Sequence, residues 1–119
     1  MSTNKQITST ITEKGKLEIA ITESSRPVPK DDEVLIEVKA SPINPSDLGA
    51  LIGPADVNTI KIENSKISMD VPESVMWAMK PRLNIPMPVG NEGSGVVIEA
   101  GANAHDLLGK VVSTFGGGM

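Results

Sequence analysis

Two stretches alternate apolar and polar residues with a period of two, and that period restricts the chain to a largely β fold. In residues 16–22, Leu17, Ile19 and Ile21 fall on one side and Lys16, Glu18, Ala20 and Thr22 on the other. Residues 33–40 set Val34, Ile36, Val38 and Ala40 against Glu37 and Lys39. Each pattern suits a strand with one face buried. Residues 6–12 repeat it more weakly, and Glu13-Lys14-Gly15-Lys16 reads as the hairpin turn between the first two strands. Residues 95–100 and 110–115 return to β-branched sequence across a turn-rich segment, 101–106. Pro27-Val28-Pro29-Lys30-Asp31-Asp32 breaks any regular element and makes a rigid polar loop. Five short strands, with two brief helical pieces, predict a mainly β protein with short helices, built as a small, partly open barrel.

The first helical piece is the better punctuated. Asn44 suits the N-cap and Pro45 the first turn, while Asp47 sits where its charge meets the helix dipole and Gly53 serves as the stop. Residues 54–85 then turn polar and irregular, without a strand period. Inside them, 70–80 predict a second short helix, with Pro72 near its start, Pro81 after its end, and Val75, Met76 and Met79 on one apolar side.

With 119 residues the chain has room for one domain, able to bury roughly two-thirds of its unfolded surface. A net charge of −4 makes no electrostatic case for nucleic acid or an anionic membrane. Trp77 and Phe115 are the only aromatic residues, too few for base-stacking platforms. With no cysteine there is no disulfide framework and no thiolate chemistry. The opening Met-Ser-Thr-Asn-Lys-Gln has no apolar core of a signal peptide, and no apolar run reaches membrane-spanning length. The expectation is a soluble cytoplasmic protein that binds neither nucleic acid nor membrane.

Chemistry concentrates in two runs where strand gives way to loop, the usual place for a ligand site. They are Ser41-Pro42-Ile43-Asn44-Pro45-Ser46-Asp47 and Pro86-Met87-Pro88-Val89-Gly90-Asn91-Glu92-Gly93-Ser94-Gly95-Val96-Val97. With Gly109-Lys110-Val111-Val112, they resemble the GroES-like N-terminal catalytic domain of medium-chain dehydrogenases/reductases, of the zinc-free quinone oxidoreductase and enoyl reductase type. The resemblance implies that residues 1–119 form that domain, GroES-like and partly open. Residues 54–85 are then an insertion, read either as a lid carrying Trp77 and two methionines or as a helix packed outside the barrel. In such enzymes a Rossmann domain binds NADPH, and substrate lies between the two halves. No Rossmann half is included here, and the ending Phe115-Gly116-Gly117-Gly118-Met119 reads as truncation of a sheet. With strand edges exposed by such truncation, the expectation is either a homodimer or partial disorder.

The zinc-dependent branch carries cysteine near the place of Pro45 and histidine where Asn91 stands, and this sequence has neither. Asp47 and Glu92 alone are poor zinc ligands, because the ion asks for imidazole or thiolate. No metal is expected. Without a Lewis acid, the substrate must be electrophilic through its own conjugation, a quinone or an enone, reduced by hydride from NADPH. By the resemblance, Asn44 and Asp47 lie toward the cofactor, and Ser46, Leu51 and Glu92 line the substrate cleft. Each has a plainer reading beside this: Asn44 a helix cap, Asp47 a dipole-matched acid, Glu92 a carboxylate tying down its loop through backbone N–H groups. No catalytic acid or base is assigned, since the tyrosine usual in enoyl reductases is missing from a chain without tyrosine.

Other signals carry less. Gly90-x-x-Gly93-x-Gly95 leads into strand sequence, not the helix that a dinucleotide fingerprint must open. Gly116-Gly117-Gly118 has too little sequence after it for a phosphate loop, and His105 reads as a solvated turn residue. The alternative function is a free-standing GroES-like barrel serving as a peptide-binding or assembly module.

Overall fold

The computed structural model describes residues 3–116, so Gly117 and Gly118 of the glycine run lie outside the described residues. It is mainly β. In chain order the elements are β1 (Thr3–Ile11), β2 (Lys16–Ser25), β3 (Val34–Ala40), α1 (Pro45–Ile52), β4 (Asp56–Glu63) and β5 (Lys66–Asp70). There follow α2 (Glu73–Met76), a 3-10 segment (Trp77–Arg82), β6 (Met87–Pro88), β7 (Glu92–Ala100), a 3-10 turn (His105–Leu107) and β8 (Val111–Phe115). One sheet has five strands in the order β4-β5-β2-β1-β6, the other three in the order β3-β7-β8. All named pairings are antiparallel, and the two sheets do not close on each other. No described helix is long and apolar enough to cross a membrane.

The alternating segments fold as their period dictates. Leu17, Ile19 and Ile21 lie on one face of β2, directly opposite Ile11, Ser9 and Ile7 of β1. At one end of this face Ile11, Leu17, Met69 and Val71 form the buried core. Ile52 of α1, Val75, Met76 and Met79 of the helical segment, and Leu83 after it pack against them. The turn between β1 and β2 closes as expected, with Thr12 N–H donating to Lys16 O at 2.8 Å and Gly15 at φ +73°.

Residues 54–85 correct the expectation of irregular chain. They hold the β4–β5 hairpin, turned by Asn64 and Ser65 with φ +51° and +61°, the left-handed pair of a two-residue turn. A register shift between Asp56 and Lys61 moves the alternation out of phase along β4, which hides its period. The predicted helix is regular only over Glu73–Met76 and tightens into 3-10 geometry, with Pro81 inside. Its apolar side is the expected one, but Trp77 is not on it and stands 74% exposed. Met76 and Met79 pack on the buried core.

α1 starts as read, with Asn44 at the N-cap and Pro45 in the first turn. At its other end Gly53 occupies the C-cap in right-handed conformation (φ −46°), so the stop does not use glycine's left-handed freedom. Two of the last-turn carbonyls are taken by side chains from elsewhere, while those of Gly49 and Ile52 accept the backbone N–H groups of Gly53 and Ala55. Ser9 Oγ donates to Leu51 O at 3.0 Å, and the Arg82 guanidinium donates to Ala50 O at 3.3 Å. The first bond seats α1 on β1 of the five-stranded sheet, and the second ties it to the 3-10 segment.

The radius of gyration is 16.7 Å, against about 13 Å for a compact domain of near this length. The molecule is drawn out to 51 × 28 × 24 Å, and much apolar surface remains exposed on both sheets.

Candidate functional site

The two sequence runs meet in space because β3 and β7 pair. Val38 lies opposite Gly95 and Ala40 opposite Ser94, so the loop after β3 lies beside the start of β7. Ser41 Oγ donates to the Glu92 backbone carbonyl at 2.7 Å. Three residues on, Asn44 Nδ2 donates to Glu92 Oε2 at 2.9 Å. The Glu92 carboxylate thus holds the N-cap side chain of α1. This corrects the plainer reading of Glu92, whose carboxylate takes the Asn44 amide and not the N–H groups of its own loop. A side-chain amide can reach it because the start of β7 points that carboxylate across toward the helix.

Asp47 is 5% exposed, one of few buried polar residues among those described. Its Oδ2 accepts the Asn44 backbone N–H at 2.8 Å, the acid half of a capping box. Its Oδ1 accepts from Asn91 Nδ2 at 3.4 Å. A buried carboxylate needs such donors, and the positive end of the α1 dipole adds to them. Asp47 therefore fastens α1 to the loop before β7. Replacing it with alanine is expected to cost about 1–2 kcal/mol, the usual range for a lost cap with a bond partner left unmatched. Urea denaturation checks this, and an unchanged midpoint would refute the fastening role.

In front of these contacts is an open cleft of about 710 Å³, bounded by Ala40, Ser41, Pro42, Glu92, Ser94 and Phe115. Phe115 comes to it because β8 pairs with β7, setting Phe115 opposite Glu92 and Ser113 opposite Ser94. The walls offer hydroxyls, one carboxylate and one aromatic ring. Gly90, at φ +107°, turns the chain into this arrangement, a backbone angle that glycine adopts without strain.

Of the residues expected at the site, Asn44, Asp47 and Glu92 are brought together. Ser46 is exposed on α1 and does not bound the cleft, and Leu51 is half-buried near β1, where its carbonyl meets Ser9. Ser94, Ser113 and Phe115 were missed by sequence reasoning. The signal was present in the alternation of β7 and β8, but only their register shows which residues share a face with Glu92. β7 runs unbroken through Gly93 and Gly95, in keeping with strand rather than phosphate-loop sequence. His105 is exposed in its 3-10 turn, at the opposite end of the β7–β8 hairpin from Glu92.

A family model for the alcohol dehydrogenase GroES-like domain matches residues 30–116, most of the chain. The chain belongs to this family. The match takes in both runs, the cleft and β8, and begins after the β1–β2 hairpin. Membership places the chain with the N-terminal part of alcohol dehydrogenase-like oxidoreductases, whose GroES-like domain is mainly β as this one is. A comparison with curated proteins finds no match.

Proposed function

We propose that this GroES-like domain is the substrate-side part of an NAD(P)H-dependent oxidoreductase that reduces a conjugated carbonyl, a quinone or an enone, without zinc. The observation that carries the reading is the donor set beside the cleft. Where a metal-dependent relative would need thiolate or imidazole, this chain offers Asn44, Asn91, Asp47 and Glu92, already bonded to one another. The sequence holds no cysteine, and its one histidine stands at the far end of a hairpin. Among the described residues no three His, Cys, Asp or Glu side chains are grouped to hold a metal. This set does not fit zinc, which asks for imidazole or thiolate.

A reduced nicotinamide, when bound, supplies the hydride. The chain's own residues position and polarise. Asn44, fixed by Glu92, presents a carboxamide that both donates and accepts, suited to the amide or ribose of a dinucleotide. Ser94 and Ser113 offer hydroxyl donors to a carbonyl oxygen, and Phe115 gives a flat apolar wall for a conjugated ring. A conjugated acceptor needs no stronger polarisation than such hydrogen bonds.

The test joins the chain to a nucleotide-binding half and follows NADPH oxidation with quinone and enone acceptors. Asn44→Ala is expected to lower kcat/KM about 100-fold, the scale of a misplaced reacting group, beside a loss of about 1 kcal/mol of stability from the missing N-cap side chain. Turnover of simple alcohols, or stoichiometric zinc by elemental analysis, would overturn the proposal.

A further inference from the structure

The five-stranded sheet has two edges, and they are built differently. β6 is only Met87–Pro88, and both Pro88 and the preceding Pro86 lack an N–H donor, so that edge is poorly suited to extend the sheet. β4 is eight residues long, contains no proline and lies open along its outer side. Its regular stretch, beyond the register shift, is the end next to the turn, where Lys61, Ile62 and Glu63 oppose Ser68, Ile67 and Lys66.

Hairpin geometry sets which groups point outward. With the two-residue turn Asn64-Ser65, the flanking pair Glu63 and Lys66 exchange the narrow pair of hydrogen bonds. Alternation then leaves the Ile62 N–H and C=O aimed away from β5, into the open edge. The side chains divide by face. Ile62 lies with Ile67 and Ile19 on the apolar face and is 73% exposed, while Lys61 and Glu63 lie on the charged face with Lys66 and Glu18.

From this we infer that β4 is a self-complementary docking edge for a second copy of the chain. An antiparallel pair with its two-fold axis at Ile62 lets the two Ile62 residues exchange both backbone hydrogen bonds. The same register sets Lys61 of each copy opposite Glu63 of the other, in the non-hydrogen-bonded positions where side chains approach most closely. Shifting the axis by one residue would put Lys61 opposite Lys61 and turn the outward groups out of phase. Charge, hydrogen-bond phase and the apolar face agree on one register, and a two-fold contact needs only this one patch. The inference does not depend on the enzymatic reading.

Sedimentation velocity on the 119-residue chain tests it. The chain is expected to dimerise with rising concentration. Lys61→Glu and Glu63→Lys are each expected to raise the dissociation constant about tenfold, because two cross-strand pairs turn from attraction to repulsion. Mixing the two variants restores opposite charges across the axis, and the mixture is expected to dimerise as the parent does. A parent monomeric throughout, variants that associate normally, or a mixture that stays monomeric would each overturn the assignment. Association unaffected by either substitution would place the contact on another surface, such as the outer face of the three-stranded sheet. Should Glu63→Lys loosen its own hairpin beside Lys66, amide exchange in the parent decides. Ile62 N–H becomes protected with concentration if the edges pair, and exchanges equally at all concentrations if they do not.

Discussion

Gly95→Ala is expected to separate β3 from β7 and to cost about 3 kcal/mol, the upper end for overpacking a closed site. A Cβ at this position would stand 2.0 Å from the Glu37 carbonyl oxygen and 2.9 Å from Ile36 Cγ2. The oxygen belongs to the backbone of the paired strand, in the stretch between two register shifts, so it cannot swing aside as a side-chain tip would. The loss is a large part of the 5–15 kcal/mol that holds a typical domain. Because this pairing brings the loop after β3 to Glu92, the cleft is expected to open as the strand comes away. Gly49→Ala is the contrasting substitution. A Cβ there meets nothing within 4 Å, and alanine in α1 is expected to add about 0.5–1 kcal/mol. Urea midpoints of the two variants should move in opposite directions, and a Gly95→Ala protein as stable as the parent would refute the close approach.

Leu17→Ala carries the other large effect, about 3–4 kcal/mol, as expected of a core leucine with little room to collapse. Leu17 is 0% exposed and sits among Ile11, Met69 and Val71, the centre onto which α1 and the helical segment pack. Ile21 lies on the same face of the same strand, two pairs further on, yet is 68% exposed. Ile21→Ala is therefore expected to change stability by less than about 0.5 kcal/mol. Thermal or urea melts of the pair measure how far burial extends along β2. Equal losses at both positions would mean that the face is covered along its whole length.

That contrast shows what an alternating pattern conveys. It told which residues of β2 share a side, since side chains in a strand point to opposite faces in turn. It did not tell how much of that side is covered, which depends on where α1 and residues 73–83 settle. The β4–β5 hairpin escaped detection for a related reason. A shift in register broke its period, and Asn64-Ser65 takes left-handed angles without the glycine that usually announces such a turn. Lys66–Asp70 does alternate, but five residues without a visible partner are weak evidence of a strand.

The candidate site divides along the same line. Asn44, Pro45 and Asp47 were legible as a helix start because capping acts between neighbours three residues apart. Their link to Glu92 was not, since Asn44 and Glu92 are 48 residues apart in the chain. Only the β3–β7 register carries one to the other. Ser46 and Leu51 followed from the resemblance, and the turn of α1 sets them apart from this cleft, toward solvent and toward β1.

Local order in this protein was thus decided by the residues themselves: the alternation, the prolines, the helix cap and the lack of thiol and all but one imidazole among its side chains. These act over a few bonds or through composition, and need no fold to be read. The tertiary structure decided which loop faces which, where Asp47 is buried, which hydroxyls stand beside Glu92 and which sheet edge stays open. Those outcomes depend on strand register and on the balance of packing over the whole chain, where a displacement of one residue turns every side chain to the other face.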